Sequence, residues 1–271
     1  MTAERIGDLQ AIDIHGHFGV YTGAKTDLIN GFYSGGIDVV LRRARLARIG
    51  HTFISPLAAM FPQSVADALA ANADFAAAVG GYPAFSQWAV LDPRKPGSFD
   101  QVEELLKTPK CIGIKIHPEQ HVYPIKEHGR RIFEFAARLG AVVQSHSGGL
   151  LSMPEDFVPF ADEFPGATLI LSHIGWSPDV DLTHQVKAMT MSRHGNICAD
   201  TSSSFSITSN LIEWAVREAG AERVFFGSDT PLYFSPMQRE RIDSAEIDDR
   251  SKRLILRGNA ERLFKIGGHN T

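Results

Sequence analysis

Four hydrophobic runs in this chain lead into side chains that can bind a metal ion. His15-Gly16-His17 comes after Ala11-Ile12-Asp13-Ile14, and His146 after Ala141-Val142-Val143. His173 comes after Leu169-Ile170-Leu171, and Asp229 after Val224-Phe225-Phe226. Imidazole nitrogens and carboxylate oxygens are the ligands of zinc and related divalent ions. Each run has the length of a buried strand, so each ligand is expected at a strand's C-terminal end. A sheet holds such groups in place better than loops do.

Alternation along a strand sends successive side chains to opposite faces. In the first run Ile12 and Ile14 share one face, and Asp13, His15 and His17 share the other. Two histidines one residue apart on one face can bind one ion; the plainer alternative is a local hydrogen-bonded pair. In the fourth run Ile112, Ile114 and Ile116 face the helices, while Gly113, Lys115 and His117 face inward. A lysine buried in a barrel lumen needs a counter-charge. Lys115 therefore binds a substrate carboxylate, pairs with Asp229 or Asp13, or becomes a carbamate bridging two metals. His117, just before Pro118, reads as a rim residue. His146 shares parity with Val142 and Gln144, and His173 with Leu169 and Leu171. Either alone would pass for a core histidine; four histidines and an aspartate at one end of such strands are hard to assign to packing. His121, His128, His184, His194 and His269 read as surface residues, and His51 as structural.

These ligands require elements that bring distant segments together. Eight strand candidates recur, at 11–15, 51–55, 85–91, 111–116, 141–145, 168–172, 196–200 and 223–227, with helical patterns between them. The helices include an alanine-rich stretch from Val65 to Val79, Arg130 to Leu139, and Leu211 to Ala219. Alternating strand and helix implies parallel strands. Eight units suggest closure into a (β/α)8 TIM barrel, one domain over residues 1–271. An open sheet would spread the ligands apart, whereas a barrel brings strands one, five, six and eight to a single mouth. The stretch Phe18 to Ser34 has little periodicity and reads as a long first loop over the site.

The chain has 271 residues, 44% of them hydrophobic, and a formal net charge of -4, which gives no support for nucleic-acid binding. The basic cluster at Arg42, Arg43, Arg45 and Arg48 alternates with Leu41, Leu46 and Ile49, as the wet face of an amphipathic helix does. Cys111 and Cys198 both sit in apolar runs and are expected as buried free thiols. No secretory signal or membrane span is visible, so a soluble, cytoplasmic protein is expected. The partner expected is a small-molecule substrate, with a homo-oligomer possible. No G-x-S-x-G elbow, Walker motif or dinucleotide fingerprint is present, and Ser145-His146-Ser147 is too local to form a triad.

Asp13-Ile14-His15-Gly16-His17, Gly113-Ile114-Lys115-Ile116-His117-Pro118, Ser145-His146-Ser147-Gly148, Leu171-Ser172-His173-Ile174-Gly175, Phe226-Gly227-Ser228-Asp229-Thr230-Pro231 and Gly258 to Phe264 run in order along nearly the whole chain. This set resembles the amidohydrolase superfamily, in its amidohydrolase-related branch of metal-dependent TIM-barrel hydrolases and decarboxylases. The resemblance implies metal ligation by His15, His17, His146 and Asp229, with Asp229 also carrying a proton. It implies that His173 binds a second metal or polarises the substrate carbonyl. Lys115 occupies the position from which a bridging residue comes in two-metal members. One zinc is favoured, with a second metal or manganese as alternatives. The expected reaction is hydrolysis of a lactone, ester or amide by a metal-activated water. The alternative is non-oxidative decarboxylation, and a third reading is a non-catalytic barrel that binds a small acid.

Overall fold

All eight expected segments form strands in the computed structural model, which describes residues 5–61 and 67–266. His269 and the beginning of the alanine-rich stretch at Val65 lie outside the described residues. The strands are β1 (Ala11–Phe18), β2 (Ile49–Pro56), β3 (Phe85–Val90), β4 (Cys111–Ile116), β5 (Val142–Ser145), β6 (Thr168–Leu171), β7 (Ile197–Asp200) and β8 (Val224–Phe225). Every neighbouring pair is parallel and the sheet order follows the sequence. The seam between β8 and β1 is drawn together just beyond β8. Ile14 N donates to Phe226 O at 3.0 Å, Asp229 N to His15 O at 2.7 Å, and His17 N to Thr230 O at 2.6 Å. These bonds also bring Asp229 beside the two histidines of β1.

Side-chain alternation divides the core in two. Ile114, Ile116, Val143, Leu169, Leu171, Ala199 and Phe226 pack outward against helical residues such as Ile132, Phe133, Met189 and Ile212. Ile12, Ile14, Phe53, Trp88, Val142, Ile170, Cys198 and Phe225 fill the barrel beneath the site, with Ala260, Leu263 and Phe264 of the last helix against them. Each such burial is worth about 1.5–3 kcal/mol for a large apolar side chain. The helix Ile125–Leu139 shows why the helices form where they do. Its Ile132, Phe133, Phe135 and Ala136 are buried, and it ends at Gly140, whose φ of 59° supplies the left-handed cap.

Several expectations need correction. Ile12 and Ile14 lie in the barrel with His15 and His17, because a register shift between Asp13 and Gly16 breaks the strict alternation of β1. Asp13 points instead to the β8 turn, where it accepts hydrogen bonds from Ser228 N at 2.9 Å and Ser228 Oγ at 2.5 Å. A similar shift between Gln87 and Trp88 leaves Ile112 packed against the lumen cluster rather than the helices. The stretch Phe18 to Ser34 is not a plain loop: β1 runs through Phe18, and a helix spans Asp27–Tyr33, capped by Thr26. His121 is fully buried, with Nε2 donating to Ala59 O at 3.0 Å, not a surface residue. His184 is largely buried too, held by Glu155 at 2.6 Å and Asp179 at 3.0 Å.

Cys111 and Cys198 are free and buried, as expected. Burial pushes their thiols up to about 11 and about 12. No helix among the described residues is long and apolar enough to cross a membrane.

Candidate active site and metal centre

The three closest ligand atoms come from the β1–β8 seam. His15 Nε2 and His17 Nε2 are 3.2 Å apart, and Asp229 Oδ1 lies 3.6 Å from the first and 3.2 Å from the second. Gly16 separates the histidines because a Cβ there would stand 2.6 Å from Thr52 Cγ2, so the bulged strand passes only if this residue is bare. His17 Nδ1 donates to Ser55 O at 3.0 Å, and His15 Nδ1 to Asp200 Oδ2 at 3.0 Å. Both acceptors lack a proton to give, so each ring carries its hydrogen on Nδ1 and turns a lone pair at Nε2 toward its neighbour. Two lone pairs and a carboxylate oxygen gathered at this spacing form a set of donors for a cation. The donor set therefore fits a divalent ion, and its nitrogen–oxygen character suits a first-row metal.

Lys115 reaches this point from β4. Its Nζ lies 3.0 Å from His15 Nε2 and 3.1 Å from Gln144 Oε1. Burial lowers it to about 8, while Asp200 and Asp229 hold it up through space. Of the two counter-charges expected if Lys115 is ion-paired, Asp229 acts on it and Asp13 does not; the other charge is Asp200.

Asp200, at the end of β7, organises the site. Its Oδ2 accepts from His15 Nδ1 and from Gln144 Nε2 at 3.0 Å; its Oδ1 accepts from His173 N at 3.0 Å, Ser202 N at 3.1 Å and the Ser202 hydroxyl. Burial alone would raise this carboxyl, but His15, His173 and Ser202 outweigh it, and the group lies well below the usual range. Asp200 closes the seventh expected strand and carries no motif that marks it for a role. The available signal was its parity with Cys198, one step above the lumen core.

His173 turns into the site by a different route from the one parity predicted. Leu169 and Leu171 face the helices, so continued alternation would send His173 outward too. A φ of 72° at His173 reverses that direction. Ser202 gives its proton to Asp200, so its oxygen accepts from His173 Nδ1 at 2.8 Å, which leaves a lone pair on His173 Nε2. That nitrogen is hydrogen-bonded to His146 Nδ1 at 3.1 Å. His146 sits one ring away from the His15–His17–Asp229 trio, stacked on His117 with centroids 4.2 Å apart and its Nε2 3.8 Å from Glu119 Oε2. Burial lowers His15 to about 3 and His173 to about 4, and puts His117 and His146 well below the ordinary imidazole range. The rings are neutral lone-pair donors at pH 7.

Behind His146, the left-handed Gly148 (φ 97°) would bring a Cβ to 2.2 Å from Trp176 O, so the loop after β5 folds there only with glycine. Glu119 fastens the same loop by accepting from Leu151 N at 3.0 Å and Ser152 Oγ at 2.6 Å. All of these groups open into a cavity of about 330 Å³ at the C-terminal mouth. Its floor holds His15, His17, Lys115, His173 and Asp229, and its walls include Tyr21, Phe61, Trp176 and Tyr233. His117 thus lines the cavity rather than merely edging it. Glu119 and Trp176 were not legible as site residues, because neither belongs to a strand-end pattern.

A parallel eight-stranded barrel with imidazoles and a carboxylate converging at its C-terminal mouth defines a metal-dependent TIM-barrel enzyme. The amidohydrolase family model (Amidohydro_2) matches residues 12–266, and the chain belongs to that family. No curated protein matches it. Among solved structures, 2,6-dihydroxybenzoate decarboxylase from Rhizobium superposes with a TM-score of 0.74 at 16% identity, covering 96% of this chain and 99% of that one. The 5-carboxyvanillate decarboxylase of Sphingomonas paucimobilis gives 0.72 at 15% identity, covering 96% and 100%. A dihydroxybenzoic acid decarboxylase from Polaromonas, solved with manganese and 2-nitroresorcinol, gives 0.71 at 17% identity, covering 95% and 97%. At such identities the likeness is one of fold.

Proposed function

We propose that the protein is a divalent-metal-dependent hydrolase acting on a lactone, ester or amide of a small carboxylate-bearing substrate. The observation that carries the reading is the meeting of His15 Nε2, His17 Nε2 and Asp229 Oδ1 on the floor of a cavity that also holds Lys115 and His173. We assign the ion to these three residues, with His146 as the fourth ligand; one zinc suits the set, and manganese is the alternative. When bound, a divalent ion supplies Lewis acidity, polarising a carbonyl and acidifying a water.

The remaining steps belong to the chain. Asp229 takes the proton of the attacking water on its carboxylate and returns it to the leaving group. Lys115, cationic at neutral pH, binds the substrate carboxylate in a site from which bulk water is excluded. His173 works as an acceptor, since its Nδ1 proton is committed to Ser202 and only the Nε2 lone pair faces the cavity. This favours a ligand or proton-accepting role over donation to the carbonyl oxygen. Asp200 fixes the His15 tautomer and the His173 backbone together.

Decarboxylation is the second reading, favoured by the aromatic walls Tyr21, Phe61, Trp176 and Tyr233, which suit a flat ring, and by the reactions named for the three fold neighbours. A panel of lactones, esters and aromatic carboxylates, given to zinc- and manganese-loaded protein and followed for both acid and carbon dioxide release, separates the two. Acid release abolished in Asp229→Asn supports hydrolysis. Carbon dioxide release without acid release replaces it with decarboxylation.

A further inference from the structure

His117 follows β4 on the inward face that also carries Lys115, and both side chains line the cavity at the barrel mouth. It then caps the short helix Pro118–His121, where its Nδ1 accepts the backbone N–H of Gln120 at 3.3 Å. A neutral imidazole has one N–H and one lone pair. With the Nδ1 lone pair given to Gln120, the hydrogen of His117 sits on Nε2. That nitrogen has no hydrogen-bond partner among the described residues and stays accessible from the cavity.

The neighbouring imidazoles have the opposite character. His15, His17 and His173 keep bare Nε2 atoms because Asp200, Ser55 and Ser202 take their Nδ1 hydrogens. His146 gives its Nδ1 hydrogen to His173 Nε2 at 3.1 Å, so its own Nε2 is bare as well. His117 lies flat on His146, with centroids 4.2 Å apart and planes 8° from parallel. Among the described histidines lining the cavity, it is the one that offers a hydrogen to a ligand. Glu119 beside it is already engaged, accepting from Leu151 N at 3.0 Å and Ser152 Oγ at 2.6 Å.

An N–H donor calls for an oxygen acceptor, and Lys115 decides its charge. An ammonium attracts a carboxylate as a point charge, without fixing its direction. A ring N–H held in place by its own backbone contact supplies that direction, in a charge-assisted hydrogen bond. Phe61, with its ring 6.5 Å from that of His117, and Trp176, 5.2 Å from that of His146, flank the stacked pair. The group that carries the carboxylate therefore meets aromatic surface on both sides.

We propose that His117 is a substrate-binding residue whose Nε2–H donates to one oxygen of the substrate carboxylate, while Lys115 supplies the opposing charge. The inference rests on the proposed role of Lys115 and not on which bond is broken.

Benzoate, a flat monocarboxylate, serves as the probe for zinc-loaded protein, with benzamide as its uncharged counterpart. In calorimetric titrations benzoate should bind the wild type, and benzamide at least about tenfold more weakly. His117→Asn keeps a helix cap but withdraws the N–H, and His117→Phe keeps a ring on His146. Each should weaken benzoate binding at least about tenfold, with unchanged zinc content and circular dichroism. In nitrogen NMR of histidine-labelled wild type, the His117 signals, identified by their loss in the variants, should show the hydrogen on Nε2 and move when benzoate is added. A hydrogen on Nδ1, signals unmoved by bound benzoate, or benzoate affinity unchanged in either variant would overturn the role of His117 and leave that of Lys115 standing. Benzoate that fails to bind the wild type, or binds no tighter than benzamide, would overturn the carboxylate subsite itself, Lys115 included.

Discussion

Replacing Asp200 with asparagine keeps the shape of the side chain but takes away one acceptor. In the native site Oδ1 receives the backbone N–H groups of His173 and Ser202 together with the Ser202 hydroxyl, while Oδ2 receives His15 Nδ1 and Gln144 Nε2. The two backbone donors cannot change, so the amide oxygen must take the Oδ1 position and the NH2 group must face His15. His15 can accept from it only by moving its own proton from Nδ1 to Nε2. That proton then occupies the lone pair facing His17 and Asp229. Substitution of such outer partners lowers metal affinity about 10–100-fold, or about 1.4–2.8 kcal/mol. Calorimetric titration of metal-depleted Asp200→Asn with zinc and with manganese measures this directly, while a thermal melt checks that the barrel persists. Wild-type affinity in the variant would refute the tautomer argument and, with it, the assignment of His15 Nε2 as a ligand atom.

Acid should destabilise the metal-free protein in a defined window. His15 and His173 lie near 3 and 4 when folded and near 6.5 when unfolded, so the unfolded chain binds more protons below pH 6.5. Stability is then lost as pH falls from about 6.5 toward 4, by about 3 kcal/mol per histidine at the lower end, offset in part by Asp13, whose carboxyl is raised by burial to about 7 and which gains stability over the same window. Urea unfolding at stepped pH reads this, and a flat profile across the window would contradict the neutral-imidazole assignment. Lys115→Met leaves the buried Asp200 and Asp229 without their cation and should lower the melting temperature of the metal-free protein, corresponding to about 3–5 kcal/mol. In steady-state assays it should raise KM for carboxylate substrates at least about tenfold. An unchanged KM would leave Lys115 without its substrate role. Gly148→Ala should destabilise the fold by about 1–3 kcal/mol, because its Cβ has no room beside Trp176 O and its φ is left-handed. Equal denaturation midpoints for variant and wild type would show that the loop has another way to fold.

The sequence alone determined the number and kind of elements. Eight apolar runs of strand length, alternating with helical patterns, force parallel pairing and leave strand-end residues at one rim. This is why His15, His17 and Asp229 were legible as neighbours although more than 200 positions separate the histidines from the aspartate. Strand periodicity is a local property, and burial enforces it. What it could not give were the departures from ideal geometry. The register shifts in β1 and β4 moved Ile12, Ile14 and Ile112 into the lumen, and the left-handed backbone at His173 turned an outward parity inward. Asp200, Glu119, Ser202 and Trp176 carry no motif of their own. Their roles come from hydrogen bonds and close contacts between segments far apart in the chain, and only closure of the barrel sets which donor meets which acceptor.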